Sequence, residues 1–304
     1  MTKSDVLFTV VIPCFNRSNI LRRALESCVV QTYKNFEVIV VDDGSSEDIE
    51  SVVAGISDSR FKYVRQENGG ASSARNNGFS KASGSWIALL DSDDHFLPAK
   101  LEAMEREIRL NEADMYVSRA SIFKDDNREW ETPELDLGDS DVSEFMFCHY
   151  QVVPTSTFVI KKSCTNEIRF DDSLVVGDDI DFIIRFSGSG RTVRMVPDVL
   201  VVYDDSESEG RLSRYEHGHI LNQWIEDNRP SFTNKSYHGF RATYLSKYLA
   251  KEQPLTVLKD IYLGYRKGGV SAKLLLRRSL RAYAPTVYGR LVMVFLWLMS
   301  KKKN

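Results

Sequence analysis

Strand-like runs alternate with segments of helical period through the first hundred residues, and no other feature restricts the possible folds so strongly. FTVVIP (8–13) is a short β-branched run, and SNILRRALESCVVQ (18–31) follows with apolar residues at helical spacing. Ser18 stands where an N-cap is expected. FEVIVV leads directly into DDGSS (36–46), the pattern of a buried strand ending in acids and a turn. EDIESVVAGI (47–56) reads as helix, RFKYVRQ (60–66) as strand, ASSARNNGFSKA (71–82) as helix and SWIALLDSDD (85–94) as strand. This order predicts an α/β fold with a mostly parallel central sheet flanked by helices, and ligands at the carboxyl ends of its strands.

The later pattern is less regular. AKLEAMEREIRLN after Pro98 reads as helix and DMYVSRASIF (114–123) as strand. Residues 124–141 are polar and acidic, as in a flexible loop. PTSTFVIKK (154–162) and RTVRMVPDVLVVY (191–203) read as further strands, with a helix opened by Gly177 between them. Beyond Ser213 the pattern is mainly helical, and no internal repeat is present. The expected division is a catalytic domain over 1–210, with halves 1–97 and 98–210, and a helical C-terminal region over 211–304.

Composition excludes several classes. A net charge of -3 gives no general attraction to nucleic acid. Cys14, Cys28, Cys148 and Cys164 form no C-x-x-C pair, which argues against a zinc site or a disulfide framework and suits a reducing cytoplasm. The start, MTKSDVLFTVVIP, does not read as a secretion signal. There is no G-x-x-x-x-G-K-[ST] loop, and no G-x-G-x-x-G follows the first strand. DSDDHFLPAKLE lacks the glycine and the spacing of an EF-hand loop. His217 and His219 are two apart, so on a helix they would not share a face, and they read as surface residues.

Acids gather in three places: Asp42 with Asp43; Asp91, Asp93 and Asp94; and Asp178 and Asp179 with Asp181. Taken singly, each acid is a solvated loop residue or a helix cap. In a parallel sheet, however, the first two groups converge on one edge. Carboxylates gathered there suit a hard divalent cation, whose ligands are carboxylates, water and substrate phosphate.

VVIPCFNR (10–17), VIVVDDGSSED (38–48), ENGGASSARNNG (67–78), IALLDSDD (87–94) and FDDSLVVGDDIDFIIR (170–185) occur in that order. Together they resemble the inverting family 2 glycosyltransferases of GT-A fold, over roughly residues 7–205. The resemblance implies transfer of a sugar from a nucleoside diphosphate, UDP foremost, to a hydroxyl of a glycan or lipid-linked acceptor in cell-surface polysaccharide synthesis. Pro13, Phe15 and Asn16 then pass beside the nucleotide, and Asp42, followed by Asp43, matches the acid that accepts the uracil N3–H. Arg75 would contact the uridine-phosphate side. Asn68, Gly69, Gly70, Asn76 and Gly78 would allow close backbone approach. Asp93 would reach the ribose or the metal, and Asp91 or Asp94 a cation, Mn²⁺ or Mg²⁺, bridging both phosphates. Asp179 would be the general base, with Asp178 the other candidate. The usual Glu before the base is Asp178 here, and the usual downstream His is absent from VVYDDSESEGRLS (201–213). Asp204 or Asp205 could replace that ligand, and Arg211 could hold the diphosphate.

Two other activities fit the same residues: transfer of sugar to a polyprenyl-type lipid phosphate, and non-catalytic binding of a nucleotide sugar. Charge is uneven along the chain. Residues 256–304 hold eleven lysines and arginines against Asp260 alone. The run Leu291–Ser300 is too short to span a bilayer, which takes roughly 20 residues. Over 270–304 this composition suggests a helix lying on an anionic membrane surface, and the alternative is packing on the catalytic domain or a second copy in a homo-oligomer.

Overall fold

β1 (Phe8–Cys14) and β2 (Phe36–Asp42) are buried at every position, so neither strand has a face for water. Strands of that kind need a layer on both sides, which helical crossovers provide. In the computed structural model, which describes residues 6–124, 129–132, 134, 137–138, 140–206 and 218–284, α1 (Ser18–Val29) joins β1 to β2. α2 (Ile49–Ala54) then leads to β3 (Phe61–Arg65), and α3 (Gly70–Lys81) to β4 (Trp86–Leu89). β3, β2, β1 and β4 lie side by side and parallel, with Cys14 opposite Asp42 at the carboxyl edge.

The chain continues through β5 (His95–Phe96), α4 (Lys100–Leu110), β6 (Met115–Phe123), β7 (Glu129–Glu131), α5 (Val142–Cys148), β8 (Phe158–Lys161), α6 (Asp178–Gly188) and β9 (Val193–Asp204). These strands extend the sheet to nine, in the order β3-β2-β1-β4-β8-β6-β9-β5 with β7 on β6. This half is mixed: β8 is antiparallel to β4 and β6, and β9 is parallel to β6 but antiparallel to β5. β5, a strand of two residues formed where the chain leaves the 91–94 turn, has no sequence pattern of its own.

Two compact units result, one of residues 1–139 and 152–210, the other of 140–151 and 211–304. In the first, α3 lies so close to β1 that a Cβ on Gly78 would fall 2.2 Å from a Val11 methyl. Ser18 is not an N-cap: Arg17 holds that position, and the Ser18 N–H donates to Glu47 Oε2 at 2.6 Å. The second unit contains α5, α7 (Gly218–Asp227), α8 (Asn234–Phe240), α9 (Ser246–Leu249), α10 (Pro254–Arg266) and α11 (Ala272–Tyr283), with a wide turn of π-helix over Arg241–Leu245. Residues 140–151 belong here because Phe147 packs against Phe232, Phe240 and Tyr244. α5 was not expected from the sequence, since seven residues are too few for a helical period to stand out. No described helix is long and apolar enough to cross a membrane. Arg211, His217 and the run 291–300 lie outside the described residues.

One buried acid belongs to the scaffold. Glu37 on β2 accepts from Thr9 Oγ1 at 2.7 Å, Lys62 Nζ at 2.6 Å and the Ser83 N–H at 2.7 Å, joining β1, β2 and β3 to the turn before β4. Burial alone would raise its pKa, but these bonds outweigh that and hold it down to about 2. Stability from this group is therefore fully present above the ordinary carboxylate pKa and is lost as pH falls toward 2. Glu37→Gln is expected to cost about 2–3 kcal/mol in urea unfolding at pH 7, with the difference shrinking below about pH 4.5 and closing only toward pH 2.

Candidate active site

The carboxyl edge of the parallel strands brings together all three acidic groups. After β4, Leu90 bonds back to β1 and the chain turns sharply, the Asp94 N–H donating to the Asp91 carbonyl at 3.0 Å. The turn is held from both sides. Asp93 pairs with Arg17 at 2.8 Å, and Arg23 reaches the Asp93 carbonyl and pairs with Asp204 at 2.6 Å. Asp94 faces inward and is fully buried. Its carboxylate accepts from Ser156 Oγ at 2.5 Å and from the Asp204 N–H at 3.0 Å. Ser156 also accepts from the Asp91 N–H at 2.9 Å. Burial, and then the charges of Asp93 and Asp91, push the Asp94 pKa well above the usual carboxylate range.

Arg75 on α3 forms the centre of the second cluster. Its guanidinium donates to Asp178 at 2.6 Å and to Asp91 at 2.7 Å, and it lies over the Phe170 ring at 5.1 Å. It is 5% exposed. Gly177, in the left-handed region at φ 77°, turns the chain into α6 so that Asp178 and Asp179 open the helix. Asp179 accepts from the Ile180 N–H at 2.8 Å. Burial, and then the charge of Asp178, push its pKa up to about 7, with Arg75 opposing. The segment before Gly177 is clamped by Asn76, which bonds both the N–H and the carbonyl of Phe170 and also Asp172. Phe170 stacks on Phe182 of α6 with ring centres 4.2 Å apart. An open polar groove of about 700 Å³ borders this clamp, lined by Gln66, Ser73, Asn77, Arg169, Asp171 and Ser173 among others.

At the third cluster both carboxylates are hydrogen-bonded within the protein. Asp42 is wholly buried, accepting from Tyr63 Oη, Arg65 and the Ser45 N–H at 2.7, 2.7 and 2.9 Å. Burial opposes its ionisation, but these bonds hold its pKa below the ordinary value. The Arg65 side chain that pairs with it is half exposed. Asp43 accepts from the Gly69 and Gly70 N–H groups and from Gln66, each at 2.8 Å, so it secures the glycine loop that opens α3. Asn68 donates to the Asp43 carbonyl, and Gly70 has φ 88°, a backbone state that favours glycine. Asn16, also at positive φ, accepts from the Ser46 N–H at 2.8 Å. Pro13 is buried in β1, and Phe15 stands exposed just beyond it.

With both carboxylate oxygens bonded inside the protein, Asp94 braces the 91–94 turn against the end of β9. Asp91 and Asp93 are the two that reach the surface, with side chains 23% and 14% exposed. Asp204 and Asp205 are engaged by Arg23 and by Lys124 respectively. Of these partners, Arg17 stands within the VVIPCFNR motif, but Ser156, over sixty residues from the turn it supports, has no local signal.

The donor set allows a test of fit for a divalent cation. Among the described residues no three His, Cys, Asp or Glu side chains form a ready-made cage. Asp91 and Asp93 offer only oxygen, on one turn and at the surface. A hard cation that takes one or two carboxylates and completes its shell with phosphate and water fits such a pair.

Similarity to known proteins agrees with this geometry. AmsB, the amylovoran biosynthesis glycosyltransferase of Erwinia amylovora, is 28% identical over 250 residues, 78% of this chain and 83% of its own length. Four other curated glycosyltransferases match 32–40% of this chain, which spans only 14–18% of their lengths. S. aureus TarS in complex with UDP-GlcNAc shares the fold at a TM-score of 0.61 and 18% identity, covering 90% of this chain and 86% of that one. The mannosyltransferase PcManGT of Pyrobaculum calidifontis, with GDP-Man and Mn²⁺, gives 0.60 at 17% identity over 98% and 86%. Both neighbours have GT-A folds. Residues 9–169, more than half of the chain and all but the last of the acidic clusters, match the model of Glycosyl transferase family 2, and the chain belongs to that family.

Proposed function

We propose that this glycosyltransferase moves a sugar, with inversion, from a UDP-sugar to a hydroxyl of a glycan or lipid-linked acceptor in polysaccharide synthesis. The observation that carries this reading is the link through Arg75, which ties the 91–94 turn to the start of α6 and leaves Asp179 beside it with a pKa near neutrality. A general base works best when its pKa lies near the working pH. Asp179 takes the proton of the acceptor hydroxyl as that oxygen attacks the anomeric carbon. The bond from this carbon to the diphosphate oxygen breaks on the opposite face, its electron pair leaves with the nucleoside diphosphate, and the configuration inverts.

Asp91 and Asp93 are the residues that would hold Mn²⁺ or Mg²⁺. Such an ion, when bound, neutralises charge developing on the leaving diphosphate. Arg75 and Arg17 hold the two carboxylates in place before the donor arrives. Arg65 and Tyr63, closing over Asp42, line the approach proposed for the base. The polysaccharide setting is supported by the similarity to AmsB, a glycosyltransferase of amylovoran biosynthesis.

The test is to incubate the protein with UDP-, GDP- and dTDP-sugars, Mn²⁺ and candidate acceptors, and to determine the products by NMR and mass spectrometry. A glycoside of inverted anomeric configuration formed from a UDP-sugar is expected. Retained configuration, a phosphodiester product or turnover with GDP-sugars alone would overturn the respective part of the proposal.

A further inference from the structure

α10 presents two unlike faces. Val257, Asp260 and Gly264 are buried within the C-terminal unit, whereas Leu255, Leu258, Tyr262 and Tyr265 are 80%, 50%, 60% and 56% exposed. Steps of three, four and three residues put those four in one stripe along the helix. Lys259 and Arg266, both exposed, border the stripe. α11 has the same arrangement: Leu275 is buried, while Leu276 and Tyr283 are 64% and 39% exposed beside Lys273 and Arg277. The Tyr283 hydroxyl donates to the Pro254 carbonyl at 2.7 Å, so the end of α11 adjoins the start of α10.

Contiguous exposed leucines and tyrosines of this extent mark a surface that something covers. Charge indicates what. From 254 to 284 the sequence holds one acid, Asp260, which is buried and bonded twice to Arg241 at 3.0 Å. The outer face is thus apolar and cationic, with no carboxylate of its own. A second copy of this face would bring cations against cations, which disfavours self-association. A bilayer carrying anionic headgroups matches both properties: leucine and tyrosine enter the acyl boundary while lysine and arginine remain at phosphate level. From Ala284 the sequence continues as PTVYGRLVMVFLWLMSKKKN, of the same apolar and basic composition.

We propose that the outer face of α10 and α11 docks this protein on an anionic lipid bilayer. The proposal is independent of the chemistry assigned to Asp179, and its test does not use transferase activity. The chain of residues 1–304 is co-sedimented with vesicles of phosphatidylcholine alone or mixed with phosphatidylglycerol. Binding to the mixed vesicles only, weakened by salt, is expected. The triple variant L255S/L258S/Y262S should bind at least about tenfold more weakly, since three apolar side chains no longer leave water. Its melting temperature should fall by only a few degrees, because all three side chains are at least half exposed and the cost is mainly that of serine within a helix. K259Q/R266Q/K273Q should lose the preference for phosphatidylglycerol. Three results would overturn the proposal: an apolar variant that binds as well as the wild type, which would leave the membrane contact to residues 285–304; a wild type that binds neither vesicle; or a wild-type dimer that the triple substitution dissociates, which would make the covering partner a second copy.

Discussion

Asp179→Asn is expected to lower the rate of sugar transfer about 1,000-fold while leaving donor affinity nearly unchanged, because the amide keeps the shape but cannot accept a proton. The wild-type rate should lose about tenfold per pH unit below the Asp179 pKa of about 7, once the base becomes protonated. Residual activity of the variant should lack that limb. The same group acts oppositely on stability. Its folded pKa lies above the unfolded value, so between about pH 4 and 7 the native state holds a proton that the unfolded chain has released. Stability attributable to Asp179 therefore falls as pH rises through that window. Asp179→Asn should melt above the wild type at pH 8, and the gap should shrink toward pH 4. Full transfer activity in the variant, or loss of activity together with loss of donor binding, would remove Asp179 from the role of base.

The parallel half of the sheet was legible in the sequence because strands covered on both faces are written as nearly continuous apolar runs. FTVVIPC and FEVIVVD are buried at every position, and the acids that follow them mark the strand ends. The mixed half was less legible. The antiparallel entry of β8 and the two-residue β5 are set by long-range pairing, and β5 places Phe96 opposite Val201 with no periodic signal of its own. Roles within the acidic groups were harder still to read. An acid that accepts a ligand N–H and one that accepts a backbone N–H look identical in sequence. Asp43 is the latter kind, bonded to Gly69 and Gly70, and Asp42 is filled by Tyr63 and Arg65. Asp94 was indistinguishable from Asp93 until Ser156 and the Asp204 backbone, distant in sequence, were seen to bond it inside the protein.

Arg75→Ala is expected to have the largest combined effect on stability and activity, because one buried guanidinium serves two carboxylates that are 16 and 103 residues away from it. Without it Asp91 and Asp178 face each other beside Asp179 with no cation between them. Removing one partner of a buried ion pair costs about 3–5 kcal/mol, and the lower figure applies here because both acids are about a fifth exposed. Arg75→Lys separates charge from geometry. A lysine keeps one positive charge but cannot present two fixed N–H groups to two acids while lying flat on Phe170, so it should recover part of the melting temperature and little of the transfer rate. The clearest readout is the acid limb of the pH–rate profile. Arg75 opposes the upward shift of Asp179, so in Arg75→Ala the limb should move to higher pH. A variant that is unstable but keeps the wild-type limb would make Arg75 a packing residue alone, whereas a displaced limb ties the 91–94 turn electrostatically to the base.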